Sequence, residues 1–348
     1  MSTDKPHSTV ATRMSGIRED WLAEVTEEIL EPELAIVDPH HHLWDLAHNR
    51  YPWLQEHLLE PRLEDDVRPI AKDYLLKDYL ADARNHNVVK SVHVETGWDP
   101  SDPVGETRWL QGIADKHGFP HAIVARATLD SPNVEQVLEA HARHKNLRGI
   151  RHAVNWHPDT RKTYVNRPDL IRTEAWRRGF GLLRRFGLSF DLQLYPAQMV
   201  GAAALAHAYP DVLIILNHAG MPVDRDEEGL RLWRRGMQQL ATADNVVVKI
   251  SGLGTVDPKW TVESIRPFVL QTIEAFGVAR SMFASNFPVD KLFSDFDTLY
   301  AAFHEITACF SAGERQMLFH DNAARYYRLL DVSEPTVSPS PNYAPLSL

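Results

Sequence analysis

The feature that most constrains the fold is an alternation, repeated eight times, of short β-branched runs with longer amphipathic segments. The runs are residues 34–42 (LAIVDPHHH), 88–96 (VVKSVHVET), 121–129 (HAIVARATL), 147–155 (LRGIRHAVN), 188–196 (LSFDLQLYP), 212–220 (VLIILNHAG), 245–253 (NVVVKISGL) and 279–287 (ARSMFASNF). Most open on apolar residues and close on polar ones, as a parallel strand does when it is buried on both faces and then emerges. Eight strand–helix units predict an α/β protein built as a closed (β/α)8 TIM barrel. The competing open sheet is disfavoured. No G-x-G-x-x-G follows the first strand, and no G-x-x-x-x-G-K-[ST] occurs anywhere.

The intervening segments carry helix signals. Ser131-Pro132 precedes a helical pattern with Val134, Val137, Leu138 and His141 on one face, Gly187 ends another, and Ser311 with Glu314 has capping-box spacing. The 348 residues suit one barrel of ~250 residues with extensions. The expected organisation is an N-terminal extension over 1–33, a single barrel domain over 34–330, and a Pro/Ser-rich tail over 331–348. The net charge of −10 disfavours nucleic-acid binding, because an acidic chain repels phosphate. A lone cysteine, Cys309, excludes an internal disulfide and a cysteine-based zinc finger, and its apolar neighbours suggest inert packing. No run has the ~18 apolar residues of a membrane span, and the N-terminus lacks a secretory core. The expected location is therefore the cytoplasm. A homodimer is allowed by the tail and the surface aromatics but not required.

Histidine chemistry is concentrated at Asp38-Pro39-His40-His41-His42. Side chains alternate along a strand, so His40 and His42 share a face, and in a barrel that face can be the mouth. They can share one ion or polarise one substrate, while Asp38 can accept from an imidazole N–H. The bland reading is a turn that happens to be histidine-rich. Polar residues also close the later runs: His93 and Glu95, Arg126, Arg151 and His152, Gln193 and Tyr195, Asn217 and His218, Lys249 and Ser251, Ser285 and Asn286. Together they form a ring at one barrel end, although any one alone reads as an ordinary satisfied polar group. In a regular strand Arg151 and His152 cannot both face inward. Trp44, Trp53, Trp98 and Trp156 fall in the strand-end loops, where some pack the core and others shape a pocket.

The stretches VDPHHHLWD (37–45), RGIRH (148–152), NHAGMP (217–222), VKISGL (248–253), MFASNFPVD (282–290) and NAARYYRL (322–329) resemble the amidohydrolase superfamily. The resemblance is to its amidohydrolase-related, lactonase-like branch, with non-oxidative decarboxylases more distant. It implies a distorted barrel with one active site at the strand C-terminal ends. It also implies that His40, His42 and His218 are catalytic residues and, if a metal is present, its ligands. The chain departs from the pattern at Asn286, where the family carries an aspartate that takes the proton of the attacking water. An amide cannot serve as that base, though it can orient water or a carbonyl. Asp290 and Glu95 are the candidate replacement carboxylates.

The leading expectation is a hydrolase that opens a lactone or related carbonyl ester. His40, His42 and His218 polarise the carbonyl or the water, either with one divalent ion, zinc first, or without metal. Asn286 and Asp290 complete the catalytic set. Glu95, Arg126, Arg151, His152, Trp156 and Tyr195 bind the small-molecule substrate, the arginines through a carboxylate. One alternative is a decarboxylase of an aromatic or unsaturated acid. The other, motivated by Asn286, is a barrel that has lost catalysis and only binds. The loop over 49–69 is expected to cap the pocket.

Overall fold

The structure is a computed structural model that describes residues 29–56 and 66–329. Most of the N-terminal extension, part of the 49–69 loop and the C-terminal tail lie outside the described residues. Eight parallel strands follow chain order around one sheet: β1 (Ile36–His41), β2 (Val88–Val94), β3 (Ala122–Arg126), β4 (Leu147–Arg151), β5 (Ser189–Leu192), β6 (Ile214–Leu216), β7 (Val246–Ile250) and β8 (Ser281–Phe283). The longer helices are α1 (Leu76–Asp82), α2 (Gly105–His117), α3 (Val134–His141), α4 (Glu174–Leu182), α5 (Met199–Ala208), α6 (Glu227–Ala241), α7 (Val262–Phe276) and α8 (Phe296–Ile306). This is the nearly closed (β/α)8 barrel that the alternation predicts.

The seam between the first and last strands is polar. His42 N donates to the Phe287 carbonyl at 2.7 Å, and Asn286 N donates to the His40 carbonyl at 2.8 Å. The Asp38 carboxylate, fully buried, accepts from Ser285 N at 3.0 Å, Ser285 Oγ at 2.6 Å and Tyr79 Oη at 2.9 Å. Asp38 therefore binds β1 to the end of β8 and to α1. It does not hold an imidazole, as the sequence suggests, because its oxygens are already taken.

Two apolar layers surround the sheet. Phe190, Leu192, Ile214, Leu216, Val246, Val248 and Ile250 pack outward against helix residues such as Trp176, Phe180, Met199 and Trp233. Val37, Val92, Val94, Val124, Ile215, Val247 and Met282 form a separate cluster inside the barrel. Each fully buried side chain of this size stabilises the fold by about 1.5–3 kcal/mol. Alternation on β7 then puts Lys249 on the inward side with Val247. The lower end of the barrel is closed by the chain after β8. There Ala323, Ala324, Tyr327 and Leu329 join the inner cluster, and Tyr327 Oη donates to Asp191 Oδ1 at 2.8 Å.

A bulge in β1 sets the phase of the histidines. Asp38 pairs with Ser91 and His41 with His93, so β1 uses three residues where β2 uses two. Val37 thus faces the interior, and so, above the bulge, do His40 and His42. His41 turns outward, stacks on Tyr79 with centroids 4.1 Å apart and bonds Ser91 Oγ at 3.0 Å.

Local signals hold with small corrections. Gly187 is left-handed with φ 63°, and Ser311 and Glu314 form their capping box. Helix α3 begins at Val134 with Asn133 as its cap, so Pro132 lies just outside. Cys309 is exposed in the turn after α8 instead of packed, because the helix ends at Ile306. Among the described residues no helix is long and apolar enough to cross a membrane.

Tyr327→Phe removes a hydrogen bond to a buried carboxylate. It is expected to cost about 1–3 kcal/mol of stability, read as a lower urea midpoint with an unchanged slope.

Candidate active site

A cavity of about 360 Å³ opens at the C-terminal ends of the strands. Its polar wall includes His42, Glu95, Arg126, Arg151, Gln193, His218 and Asn286, each at or just beyond a strand end. Trp44, Trp53, Met221 and Tyr164 supply apolar surface. A small hole with a few convergent polar groups is the usual form of a small-molecule site.

The three histidines named from sequence converge. The His40 ring centroid lies 5.0 Å from that of His42 and 4.6 Å from that of His218. His42 Nδ1–H donates to the Val94 carbonyl at 2.8 Å, which fixes the tautomer and leaves an Nε2 lone pair. His218 Nδ1 lies 3.0 Å from Ser251 Oγ. Burial holds all three imidazoles well below their ordinary range; Arg151 pushes the same way on all three, and Lys249 on His40 and His218. They are neutral near pH 7.

The turns carrying these groups use unusual backbone. His218, Ala219, Gly220 and Met221 have φ of 56°, 49°, 70° and 46°, and Asn286 has φ 56°. Non-glycine residues held there cost about 1–3 kcal/mol each. The first turn is secured by the Trp233 indole N–H, which donates to the Ala219 carbonyl at 2.7 Å. The second is secured by Asp290. Its Oδ1 accepts from Asn286 Nδ2 at 3.1 Å and its Oδ2 from Gly252 N at 3.1 Å. Because a carboxylate only accepts, Asn286 Oδ1 is turned toward His42 Nε2, 3.3 Å away. Asp290 is buried and does not line the cavity. In the structure it positions the amide.

The opposite wall is charged. Arg151 Nε donates to Glu95 Oε1 at 2.7 Å and Nη1 to Gln193 Oε1 at 3.0 Å, while Nη2 bonds the Glu95 carbonyl. Burial pushes the Glu95 carboxyl up, but Arg151, Arg126 and the Gly97 N–H outweigh it and hold it below its usual range. Arg151 is therefore committed to Glu95. Arg126 is exposed at the cavity, its carbonyl meets His141 Nε2 at 3.1 Å, and its guanidinium donates no hydrogen bond to a described residue. His152 borders the cavity, yet its Nδ1 accepts from Leu129 N at 3.2 Å and Trp176 Nε1 at 3.1 Å. Trp156 and Tyr195 are not among the lining residues, and Tyr195 Oη donates to the Lys162 carbonyl at 2.6 Å. The 49–69 loop reaches the cavity through Pro52 and Trp53.

Sequence reading undervalued one pair. Lys249 and Asp191, both fully buried, meet inside the barrel at 2.6 Å, and Lys249 Nζ lies 3.3 Å from His40 Nδ1. The signal was a lysine inside VVVKI and an aspartate inside LSFDL, two charges in otherwise apolar strands.

The sequence profile of the family described as Amidohydrolase matches residues 37–329. The chain belongs to the amidohydrolase family. It is 55% identical over 299 residues to the y4mH protein of Sinorhizobium fredii, covering 85% of this chain and 99% of that one. It is 28% identical over 307 residues to an L-fucono-1,5-lactonase of Burkholderia multivorans, covering 84% and 96% of the two chains. Its fold matches an amidohydrolase from Burkholderia multivorans solved with bound zinc at a TM-score of 0.71 and 24% identity, over 84% of this chain and 99% of that one.

The residues of this amidohydrolase do not fit such an ion. Among the described residues no three His, Cys, Asp or Glu side chains are arranged to hold one. An amide, Asn286, stands where an anion would help. The Lys249 ammonium sits beside one of the three imidazoles and adds positive charge where a cation would bind.

Gly252, with φ 62°, packs so closely that an added Cβ would lie 2.6 Å from His218 Nδ1. Gly252→Ala is expected to destabilise the protein by more than about 1 kcal/mol and to displace the His218 ring. Urea unfolding and a crystal structure of the variant check both.

Proposed function

We propose that this amidohydrolase opens a sugar lactone, and that His42 is the base. The supporting observation is the contact of His42 Nε2 with Asn286 Oδ1 at 3.3 Å, with Nδ1–H already committed to Val94. In the resting enzyme two acceptors face each other, an unfavourable pairing. Once Nε2 takes a proton, the same contact becomes a hydrogen bond from imidazolium to amide oxygen. The amide at position 286 thus replaces the family's carboxylate base by stabilising a charge that exists only during reaction.

The reaction runs as follows under this reading. The lactone lies in the cavity with its polar substituents on Arg126. Water attacks the carbonyl carbon as His42 Nε2 removes its proton. His218, bonded at Nδ1 to Ser251, presents Nε2 to the carbonyl oxygen. The ring C–O bond then breaks, the leaving oxygen takes the proton back from His42, and a hydroxy acid departs. Lactones are activated esters, so positioning and modest polarisation suffice. The likeness to an L-fucono-1,5-lactonase supports the substrate class.

His42→Gln is expected to lower kcat by about 10²–10⁴-fold with the fold retained, measured by acid release from sugar-acid lactones. The base works only when neutral, and burial depresses His42. Activity should therefore hold as pH falls to 6.5 and disappear only below it. An acid limb centred above pH 6.5, or full activity in His42→Gln, removes His42 from this role. Release of CO₂ from an aromatic acid, with no lactone opened, would favour decarboxylation. No turnover of either class would favour a binding protein.

A further inference from the structure

The chemistry of His40 depends on its neighbour below. Lys249 Nζ lies 2.6 Å from Asp191 Oδ1 and 3.3 Å from His40 Nδ1, and all three residues are fully buried. Tyr327 Oη donates to the same Asp191 oxygen at 2.8 Å. Burial lowers the Lys249 ammonium from its ordinary value and the Asp191 carboxylate opposes that shift; at 2.6 Å the pair stays ionic, since either charge alone would be costly there. An ammonium has only hydrogens to offer, so Nδ1 of His40 meets it with its lone pair. A neutral imidazole carries one proton, and that proton is then on Nε2. His40 Nε2 is buried and has no hydrogen-bond partner among the described residues.

We infer that Lys249 is a positioning residue: held by Asp191, its ammonium occupies Nδ1 of His40 and fixes the proton on Nε2, making His40 a hydrogen-bond donor with no lone pair for a metal ion. The His40 ring lies beside those of His42 and His218; His40 itself is fully buried and is not among the cavity-lining residues, so its Nε2–H serves the negative charge that appears on the carbonyl oxygen when the substrate is seated against His42 and His218. That last step rests on the lactone-opening reading, whereas the assignment of the proton does not. The arrangement also accounts for the poor fit to zinc. Ligation through Nε2 would require the proton to leave His40 or Lys249, and metal affinity falls when ligands must first be deprotonated.

The test is long-range ¹H–¹⁵N NMR of histidine-labelled protein, with His40→Gln used to assign the signals. The expected wild-type result is a protonated Nε2 and a bare Nδ1 on His40. The partner variant is Lys249→Met combined with Asp191→Asn, which leaves no unpaired charge in the barrel. In it the His40 signals should move to a mixture of the two tautomers. Zinc affinity by titration calorimetry should rise about tenfold or more, with the gain lost when His40→Gln is added. With a lactone that the wild type opens, kcat should fall about 10²-fold with KM little changed.

A wild-type His40 protonated on Nδ1 overturns the inference, as does zinc bound stoichiometrically by wild type and lost in His40→Gln. An unshifted tautomer in the double variant overturns the role of Lys249. If that variant does not fold, the wild-type spectrum and zinc titration still decide. Absence of lactone turnover alongside the expected tautomer removes the proposed reaction and leaves the role of Lys249 intact.

Discussion

One buried carboxylate holds the barrel's seam. Asp38 accepts hydrogen bonds from the backbone and hydroxyl of Ser285 and from the phenol of Tyr79, and so ties β1, α1 and the end of β8 together. Burial alone drives its pKa up, and the hydrogen bonds from Ser285, Tyr79 and the His40 backbone oppose that drift. The functional geometry depends on this seam, because His42 comes from one side of it and Asn286 from the other. A barrel open here would separate the imidazole from the amide that faces it.

Below the seam the interior changes character by layers. The lowest layer is apolar and is filled by the chain that follows β8. The middle layer is the Lys249–Asp191 pair with Tyr327 beneath it. The upper layer is three neutral imidazoles. A buried ion pair seldom adds net stability relative to apolar packing, since its desolvation cost offsets its attraction. Its effect is felt in the layer above. Lys249 is the second-largest influence, after burial, holding His40 neutral, and Lys249 also contributes at His218.

Left-handed backbone in non-glycine residues is concentrated at the candidate site. His218 and Asn286 both occupy left-handed backbone, and each is restrained by a neighbour brought from elsewhere in the chain: Trp233 for the first turn, Asp290 for the second. Gly252 touches both, since its N–H serves Asp290 and its missing side chain makes room for His218. The two turns therefore meet at Gly252. The amide of Asn286 is oriented by a carboxylate on one side and offers its oxygen to His42 on the other.

Much of this was legible in the letters. Alternating apolar and polar ends gave all eight strands, because burial on two faces leaves a plain pattern. The D-P-H-H-H run, the later His218 and Asn286 in place of aspartate were readable as residue types at strand ends. Other assignments depended on direction in space, which one-dimensional spacing does not encode. The β1 bulge turned Asp38 away from the imidazoles. Glu95 claimed Arg151 and left Arg126 exposed, and Tyr195 bent to a backbone carbonyl. Sequence determined which residue types stand at the strand ends, since periodicity marks where each buried strand emerges. Only the closed barrel decided which lone pairs and protons meet, because Lys249, Asp191 and His40 are far apart in the chain and become neighbours solely through β1, β5 and β7 sharing one interior.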